Sequence, residues 1–464
     1  MLLISIDSLR ADRLRCYGHS RDTSPHIDAL AAAGVRFERT MAVAPWTLPS
    51  HVSLLTGLHP REHDVNKSTS TLSPELPLLP TAFKQAGYRT GGIVSGPFMG
   101  RVFGFARGFD YYDDEIARMD EKRSHLEFAT SQRLADKAIE WLRRYATASR
   151  PDRTETRPFF LFLHLWDVHY DYKPPPPYDR MFDPDYRGRA NGVFRPWRSI
   201  FEGAPPGADR DVEHVRALYD GEVRYTDEHL GRVLDALNEM GVADSTIVCV
   251  TADHGDEFYE HGQGGHQRTL FDEVLRVPWI IRGPGVGGPR VATTPVSNID
   301  IMPTLMELAG IPPPSEQLSG RSWAATVRGE TAEATARPCF GETHYHWTAP
   351  ATHTEGRLVS VELDGWKLIR RLDEPRFERL YDLRVDPGEQ RDVAAANHDR
   401  AASLRKLLDE HDAKGPRYRA GDMSDPKTRS RLEELGYLQG EGVPMTTSPS
   451  SGPATSQMDG DPGS

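Results

Sequence analysis

Residues 245–255 read Ser-Thr-Ile-Val-Cys-Val-Thr-Ala-Asp-His-Gly. An apolar run with several β-branched residues ends abruptly on Asp253, His254 and Gly255. A strand that is apolar on both faces belongs inside a parallel sheet covered by helices on either side. The polar residues at its carboxyl end then lie where open α/β sheets bind their ligands. The pattern recurs along the chain. Leu2–Ile6 is an apolar run followed at once by Asp7, and Phe159–Leu165 is another, leading through His164 to Asp167 and His169.

Between these runs lie amphipathic stretches with helical spacing, at 26–33, 80–86, 129–145 and 215–240. Gly34, Gly87 and Gly241 follow three of them as stop signals. Further strands are predicted at 90–94 and 277–281. This alternation predicts an α/β domain with a mostly parallel central sheet sandwiched by helices. After about residue 310 the texture changes. LVSVEL and WKLIRR flank Asp364-Gly365, a hairpin turn signal, and 395–414 reads as a helix. We expect an α/β catalytic domain over 1–330 and a smaller antiparallel sheet plus helix over 331–440. Residues 441–464, rich in Ser, Thr, Pro and Gly, are expected to be a disordered tail.

Composition narrows the function classes. Lys and Arg number 56 against 68 Asp and Glu, a net charge of −12 in 464 residues, so nucleic acid is not an expected partner. Cys16, Cys249 and Cys339 are the only cysteines; they are too few and too scattered for a disulfide scaffold or a zinc ribbon. No stretch approaches 18 apolar residues, so no membrane helix is expected. The chain opens on an apolar run without a basic n-region. As written it reads as soluble and cytoplasmic, or as periplasmic or secreted if the N-terminus is incomplete.

The chemistry-bearing residues gather at the predicted strand ends. Asp7, Asp167, His169, Asp253 and His254 join Pro45-Trp46-Thr47-Leu48-Pro49-Ser50-His51, which opens a predicted helix at 50–56. A single Asp after a strand is commonly only a helix N-cap, and a lone His or Thr there is commonly structural. Their coincidence on one rim points instead to a bound divalent cation. Trp46, Tyr170, Tyr172 and 174–177 are expected to shape the mouth of that site. Asp256, Glu257, Glu260 and His261, just after Asp253-His254-Gly255, could bind metal but read mainly as a solvated helix face.

In this setting the chain resembles the sulfatase family of the alkaline phosphatase superfamily. ISIDSLRADRLRCYG, SPHIDALAAAGVRFERTMAVAP, TLPSHVSLLTGLHP, TADHGDEFYEHG, RVPWIIRGPG, SNIDIMPTLMELAGI and LYDLRVDPGEQRDV follow in family order. The resemblance implies a sulfuric or phosphoric ester hydrolase that takes a small-molecule or glycan ester. It implies a metal held by Asp7, Thr47, Asp253 and His254, with Ca2+ the family's usual ion and Mn2+, Mg2+ or Zn2+ as alternatives.

The departures concern mechanism. Where sulfatases carry C-x-P-S-R, whose Cys becomes the formylglycine nucleophile, this chain has Thr47-Leu48-Pro49-Ser50-His51. The usual downstream Lys is replaced by His266. Such substitutions resemble the two-metal members of the superfamily, in which Thr or Ser is the nucleophile. That likeness implies a second ion on Asp167, His169 and His266. A Thr hydroxyl is almost never ionised at neutral pH, whereas a divalent ion lowers the pKa of coordinated water from about 15.7 to about 7. Thr47 would then form a covalent ester, hydrolysed by water that His169, His266 or a second metal activates. His51, if protonated, would offset charge on the transferred group, and Ser50 would cap the helix. A Thr-sulfate lacks the elimination open to a formylglycine hemiacetal, which leaves phosphate esters, including phosphodiesters, as alternatives to sulfate. Outside hydrolysis, the alternatives are a phosphoryl-linked transferase and a catalytically inactive binding protein.

Overall fold

The computed structural model describes residues 1–430 except 118–129, 147–156, 196–199, 202–208, 315–316, 331–334, 349–351, 375 and 428. The tail expected at 441–464 lies outside the described residues. Strands β1 (Leu2–Ile6), β2 (Val35–Met41), β3 (Arg89–Ile93), β4 (Tyr111–Asp113), β5 (Phe159–Leu165), β6 (Val248–Thr251), β7 (Arg276–Arg282), β8 (Arg290–Ala292) and β9 (Val296–Ser297) form one sheet. Its order is β8-β2-β7-β6-β1-β5-β3-β4, with β9 also paired to β2. β1 pairs in parallel with β5 and β6, and β7 runs antiparallel to both β6 and β2. The sheet is thus mostly parallel, and Asp7, His164, Asp253 and the chain leading to Thr47 all issue from one rim.

The apolar runs are explained by two cores, one on each face. Leu2, Ile4 and Ile6 pack beneath α1 (Pro25–Ala32), α4 (Ser131–Tyr145) and α5 (Asp209–Glu239), against Ile27, Leu134 and Leu230. Leu3, between them, points to the opposite face. There it joins Leu54 of α2 (Thr47–Thr56), Phe83 of α3 (Leu79–Gln85) and Leu305 of α7 (Ile301–Leu308). Each such side chain contributes about 1.5–3 kcal/mol on burial, so neither face of β1 tolerates polar residues. The helix expected at 215–240 starts earlier, at Asp209. The strand expected from 245 starts at Val248, because Ala243–Ser245 forms a 3-10 turn.

C-terminal strands β10 (Cys339–Thr348), β11 (Thr352–Leu363), β12 (Trp366–Arg371) and β13 (Glu378–Asp382) form an antiparallel sheet in that order. Asp364 (φ 54) and Gly365 (φ 75) make the turn, both left-handed as a two-residue hairpin requires. Helix α8 (His398–Asp412) lays Ala401, Leu404 and Leu408 on Val359, Val361, Leu368 and Leu380. Buried ion pairs fasten this sheet to the α/β layer. Arg39 of β2 holds Glu362 and Asp272 of α6 (Asp272–Leu275), and Lys367 Nζ lies 2.9 Å from Asp272 and 3.0 Å from Glu389.

Candidate active site

Two tight departures from the sheet build the centre of the site. After β1, Asp7 is fully buried and Ser8 adopts φ 58, left-handed, which a non-glycine residue rarely accepts. This bend lets Ser8 N–H donate to Asp253 Oδ1 at 3.2 Å while its hydroxyl donates to Asp7 Oδ1 at 3.1 Å. After β6, His254 N–H donates to the same Asp253 Oδ1 at 3.0 Å, so one carboxylate oxygen ties two strand ends together. Gly255 is required here: its N–H donates to Val274 O at 2.8 Å, and a Cβ would overlap the Glu273 carbonyl.

Thr47 enters from a third departure, after β2. β2 ends at Met41, Trp46 is extended (φ −164, ψ 161), and α2 begins at Thr47 itself. The helix therefore starts three residues before the expected position. Pro49 occupies the first turn, where its missing N–H costs nothing. Ser50 lies inside the helix and is no cap: its hydroxyl donates to Asp253 O at 2.6 Å and accepts from Asn298 Nδ2 at 2.9 Å. Thr47, 4% exposed, places Oγ1 3.4 Å from both Asp7 Oδ2 and His254 Nε2.

The imidazoles are oriented by their outer nitrogens. His254 Nδ1 faces Gly255 O at 3.0 Å, His164 Nδ1 faces Ser95 O at 2.7 Å, and His169 Nδ1 faces Tyr170 O at 2.6 Å. A carbonyl only accepts, so each neutral ring carries its hydrogen on Nδ1 and presents Nε2 as a lone pair. His164 Nε2 lies 3.4 Å from Asp7 Oδ2, and His254 Nε2 lies 3.3 Å from Asp253 Oδ2. His266 Nδ1 is held by Asp256 Oδ1 at 2.6 Å, and Tyr172 donates to Asp256 Oδ2 at 2.6 Å. The His266 ring lies 4.3 Å from His254 and 5.0 Å from His169, centroid to centroid, and stacks on Tyr170 at 4.9 Å.

The electrostatics follow from two carboxylates buried side by side. Burial raises Asp253, and the Asp7 charge raises it further. Burial also works against the Asp7 charge, but His164, His169 and His254 more than offset it and hold Asp7 below the usual carboxylate range. His254 is raised despite its burial, because Asp253 and Asp7 face it. Such a pair shares one positive charge more readily than it stands alone. Asp253 Oδ2 and His164 Nε2 are buried without any hydrogen bond. Ligand atoms of Asp7, Asp253 and His254 lie within 4.8 Å of one another. Two carboxylates, an imidazole lone pair and an adjacent hydroxyl fit one divalent cation.

Other candidate residues find partners within the protein. Asp167 accepts from Thr130 N (2.8 Å), Thr130 Oγ1 (2.6 Å) and Ser131 N (2.6 Å). Both its oxygens therefore serve the start of α4. His51 is fully buried: Nδ1 faces Thr47 O at 3.0 Å and Nε2 the Ser5 hydroxyl at 2.9 Å. Burial lowers its pKa to about 3, so it is neutral and bears no charge for the transferred group. Asp256 and Glu257 are buried on a loop and hairpin rather than a solvated helix face. Asp256, through Tyr172 and His266, is thus a site residue that was expected mainly to be solvated. Burial, and then the neighbouring His254, lower the pKa of His266. The only signal for Asp256 was its place three residues past Asp253.

Comparison with known proteins agrees with this architecture. A family profile described as Sulfatase matches residues 1–311, and one described as N-sulphoglucosamine sulphohydrolase, C-terminal, matches 260–414. An N-acetylglucosamine-6-O-sulfatase of Bacteroides thetaiotaomicron is 24% identical over 88% of this chain and 85% of its own length. Arylsulfatase K of Bos taurus is 24% identical over 88% of this chain and 80% of its own length. Among solved structures, a phosphonate monoester hydrolase of Agrobacterium radiobacter superposes with a TM-score of 0.70 at 24% identity, covering 89% of this chain and 94% of that one. A structure solved with its substrate D-glucosamine-2-N,6-O-disulfate gives 0.72 at 21% identity, covering 89% and 97%. No helix among the described residues is long and apolar enough to cross a membrane. With a family profile spanning the strands and loops that carry Asp7, Thr47, Asp253 and His254, the chain belongs to the sulfatase family of ester hydrolases.

Proposed function

We propose that this sulfatase-family member hydrolyses a sulfate or phosphate monoester in two displacements, with Thr47 as nucleophile and one divalent cation. The observation that carries the reading is Thr47 Oγ1, set at the first position of α2 and 3.4 Å from both Asp7 and His254. Asp7, Asp253, His254 and Thr47 would hold the cation, whose charge lowers the pKa of a coordinated hydroxyl and offsets charge on the transferred group. The mixed carboxylate and imidazole donors favour Mn2+ or Zn2+ over the Ca2+ implied by family resemblance.

In the first displacement Thr47 Oγ1 bonds to sulfur or phosphorus and the bond to the ester oxygen breaks. His169 and His266 carry protons. Burial lowers His169 to about 4 and His266 well below its usual value, so both are bases at neutral pH. One takes the Thr47 proton and passes it to the departing alcohol. The same group then takes a proton from water, which bonds to sulfur or phosphorus as the bond to Thr47 Oγ1 breaks, and returns that proton to Oγ1. Asp167 accepts hydrogen bonds from the start of α4 on both oxygens, which favours one ion over two.

The glycan sulfatase names of the relatives make a sugar sulfate the natural first ester to offer. The test is a parallel assay of aryl sulfate, aryl phosphate and bis-aryl phosphodiester with Ca2+, Mg2+, Mn2+ and Zn2+. Monoester turnover that one ion per chain supports is expected. Turnover of the diester alone, with two ions per chain, would overturn the reading.

A further inference from the structure

Beyond Gly255 the chain makes a hairpin of Glu257–Phe258 with Gly264–Gly265. Glu257 on this hairpin, His261 in its turn and Glu273 on α6 bring three ligand atoms within 4.8 Å of one another. The reaction proposed above uses none of them. Glu257 is 1% exposed and Glu273 8%.

The imidazole is again set by its far nitrogen. His261 Nε2 lies 3.2 Å from Glu389 O, an acceptor. The Gln390 amide is also near, at 3.3 Å, and it donates to the carbonyls of Gly388 (2.8 Å) and Glu260 (3.4 Å). A neutral ring therefore carries its hydrogen on Nε2 and turns the Nδ1 lone pair inward. There Nδ1 meets Glu273 Oε1 at 2.5 Å and Glu257 Oε1 at 3.9 Å. Glu257 Oε2 accepts from Thr269 Oγ1 at 2.6 Å, but Oε1 is buried with no hydrogen bond. Three such groups facing one another out of water need protons or a cation between them: burial and the Glu273 charge push Glu257 up to about 8, and Glu273 more than offsets burial to raise His261 to about 9. A proton on His261 serves Glu273 and leaves Glu257 Oε1 without a partner. A divalent ion serves all three. A cavity of about 460 Å³, lined by Gln263, Arg268 and Glu389 among others, reaches the cluster at His261.

We propose that Glu257, His261 and Glu273 form a second cation site, separate from Asp7, Asp253 and His254, for a borderline divalent ion such as Zn2+ or Mn2+. Two carboxylates and one imidazole suit these ions. The ion would cross-link the hairpin to α6. Because α6 lies directly against the Asp253–Gly255 loop, it would stiffen the segment that presents His254, Asp256 and His266.

The test uses the full-length chain with Asp7→Asn and Asp253→Asn, stripped with chelator, so that the first site is disabled in every arm. Titration with Zn2+ or Mn2+ is expected to give one bound ion per chain and a higher melting temperature. Adding Glu257→Gln or His261→Gln is expected to weaken binding by at least about tenfold. No bound ion in the parent double variant, or no rise in its melting temperature with either metal, overturns the proposal. Unchanged affinity in the Glu257 and His261 variants overturns it as well. None of these results depends on whether Thr47 is the nucleophile.

Discussion

Replacing Thr47 with alanine separates a nucleophile from a structural threonine. Oγ1 makes only long contacts, 3.4 Å to Asp7 and 3.4 Å to His254, and alanine is well suited to the first turn of a helix. The stability cost should be below about 1 kcal/mol. The loss in turnover should be far larger, because no neighbouring hydroxyl can take over. Ser50 Oγ donates to Asp253 O at 2.6 Å and Ser8 Oγ donates to Asp7 at 3.1 Å. Without a nucleophile, kcat should fall at least ~10³-fold, about 4 kcal/mol of barrier. Thr47→Ser keeps the hydroxyl and loses only the methyl that restricts χ1, so it should stay within about tenfold. The assay is kcat on the best aryl ester with the preferred ion, alongside thermal unfolding. Intact-mass measurement after a rapid acid quench should find the covalent adduct with Thr47 or Ser at this position and none with alanine. An alanine variant that keeps more than about a tenth of the activity, or a serine variant no better than alanine, would refute the assignment.

Asp256→Asn should lower kcat/KM by about 10–100-fold without changing the fold, because Asp256 sets the His266 ring at 2.6 Å; full activity would show that this orientation does not matter. Asp7→Asn should abolish metal-dependent turnover and lower the stability of the metal-free protein at neutral pH, since His164, His169 and His254 more than offset burial and hold the Asp7 carboxylate below its usual range; calorimetry after chelation reads this directly. Asp272 gives a pH signature. Burial pushes its carboxyl up, but Arg39 and Lys367 more than offset this and hold it below the usual range. Its stabilisation is therefore present above its unfolded value of about 4 and is lost as pH falls through the lower folded value. Urea midpoints should drop as pH falls from about 5 toward 3, and Asp272→Asn should flatten that slope.

Much of the scaffold is legible locally. Leu2–Ile6 and Phe159–Leu165 are strands because no other short element buries apolar side chains on both faces, and Asp364-Gly365 is a turn because it supplies two positive φ values. The positions of Asp7, Asp253 and His254 follow, since a residue just past a buried strand lies on the ligand rim. The role of each carboxylate does not follow in the same way. Asp7 and Asp167 read alike, each two or fewer residues past a buried strand. Asp7 faces Thr47 and His164, whereas Asp167 meets the N-terminus of α4, 37 residues away in sequence. Asp256 looked like a solvated residue because its partners, Tyr172 and His266, lie 84 and 10 residues away.

The sequence by itself therefore determined the elements, the layered fold class and the rim on which chemistry-bearing residues gather, because these depend on hydrophobic period and backbone conformation within a few residues. The tertiary structure alone decided which groups are charged and which are spent. It turned His51 into a neutral buried hydrogen-bonding residue, gave Asp167 to a helix, and set Glu257 against His261 and Glu273. Those outcomes depend on burial and on partners brought together from distant segments, and no local pattern encodes them.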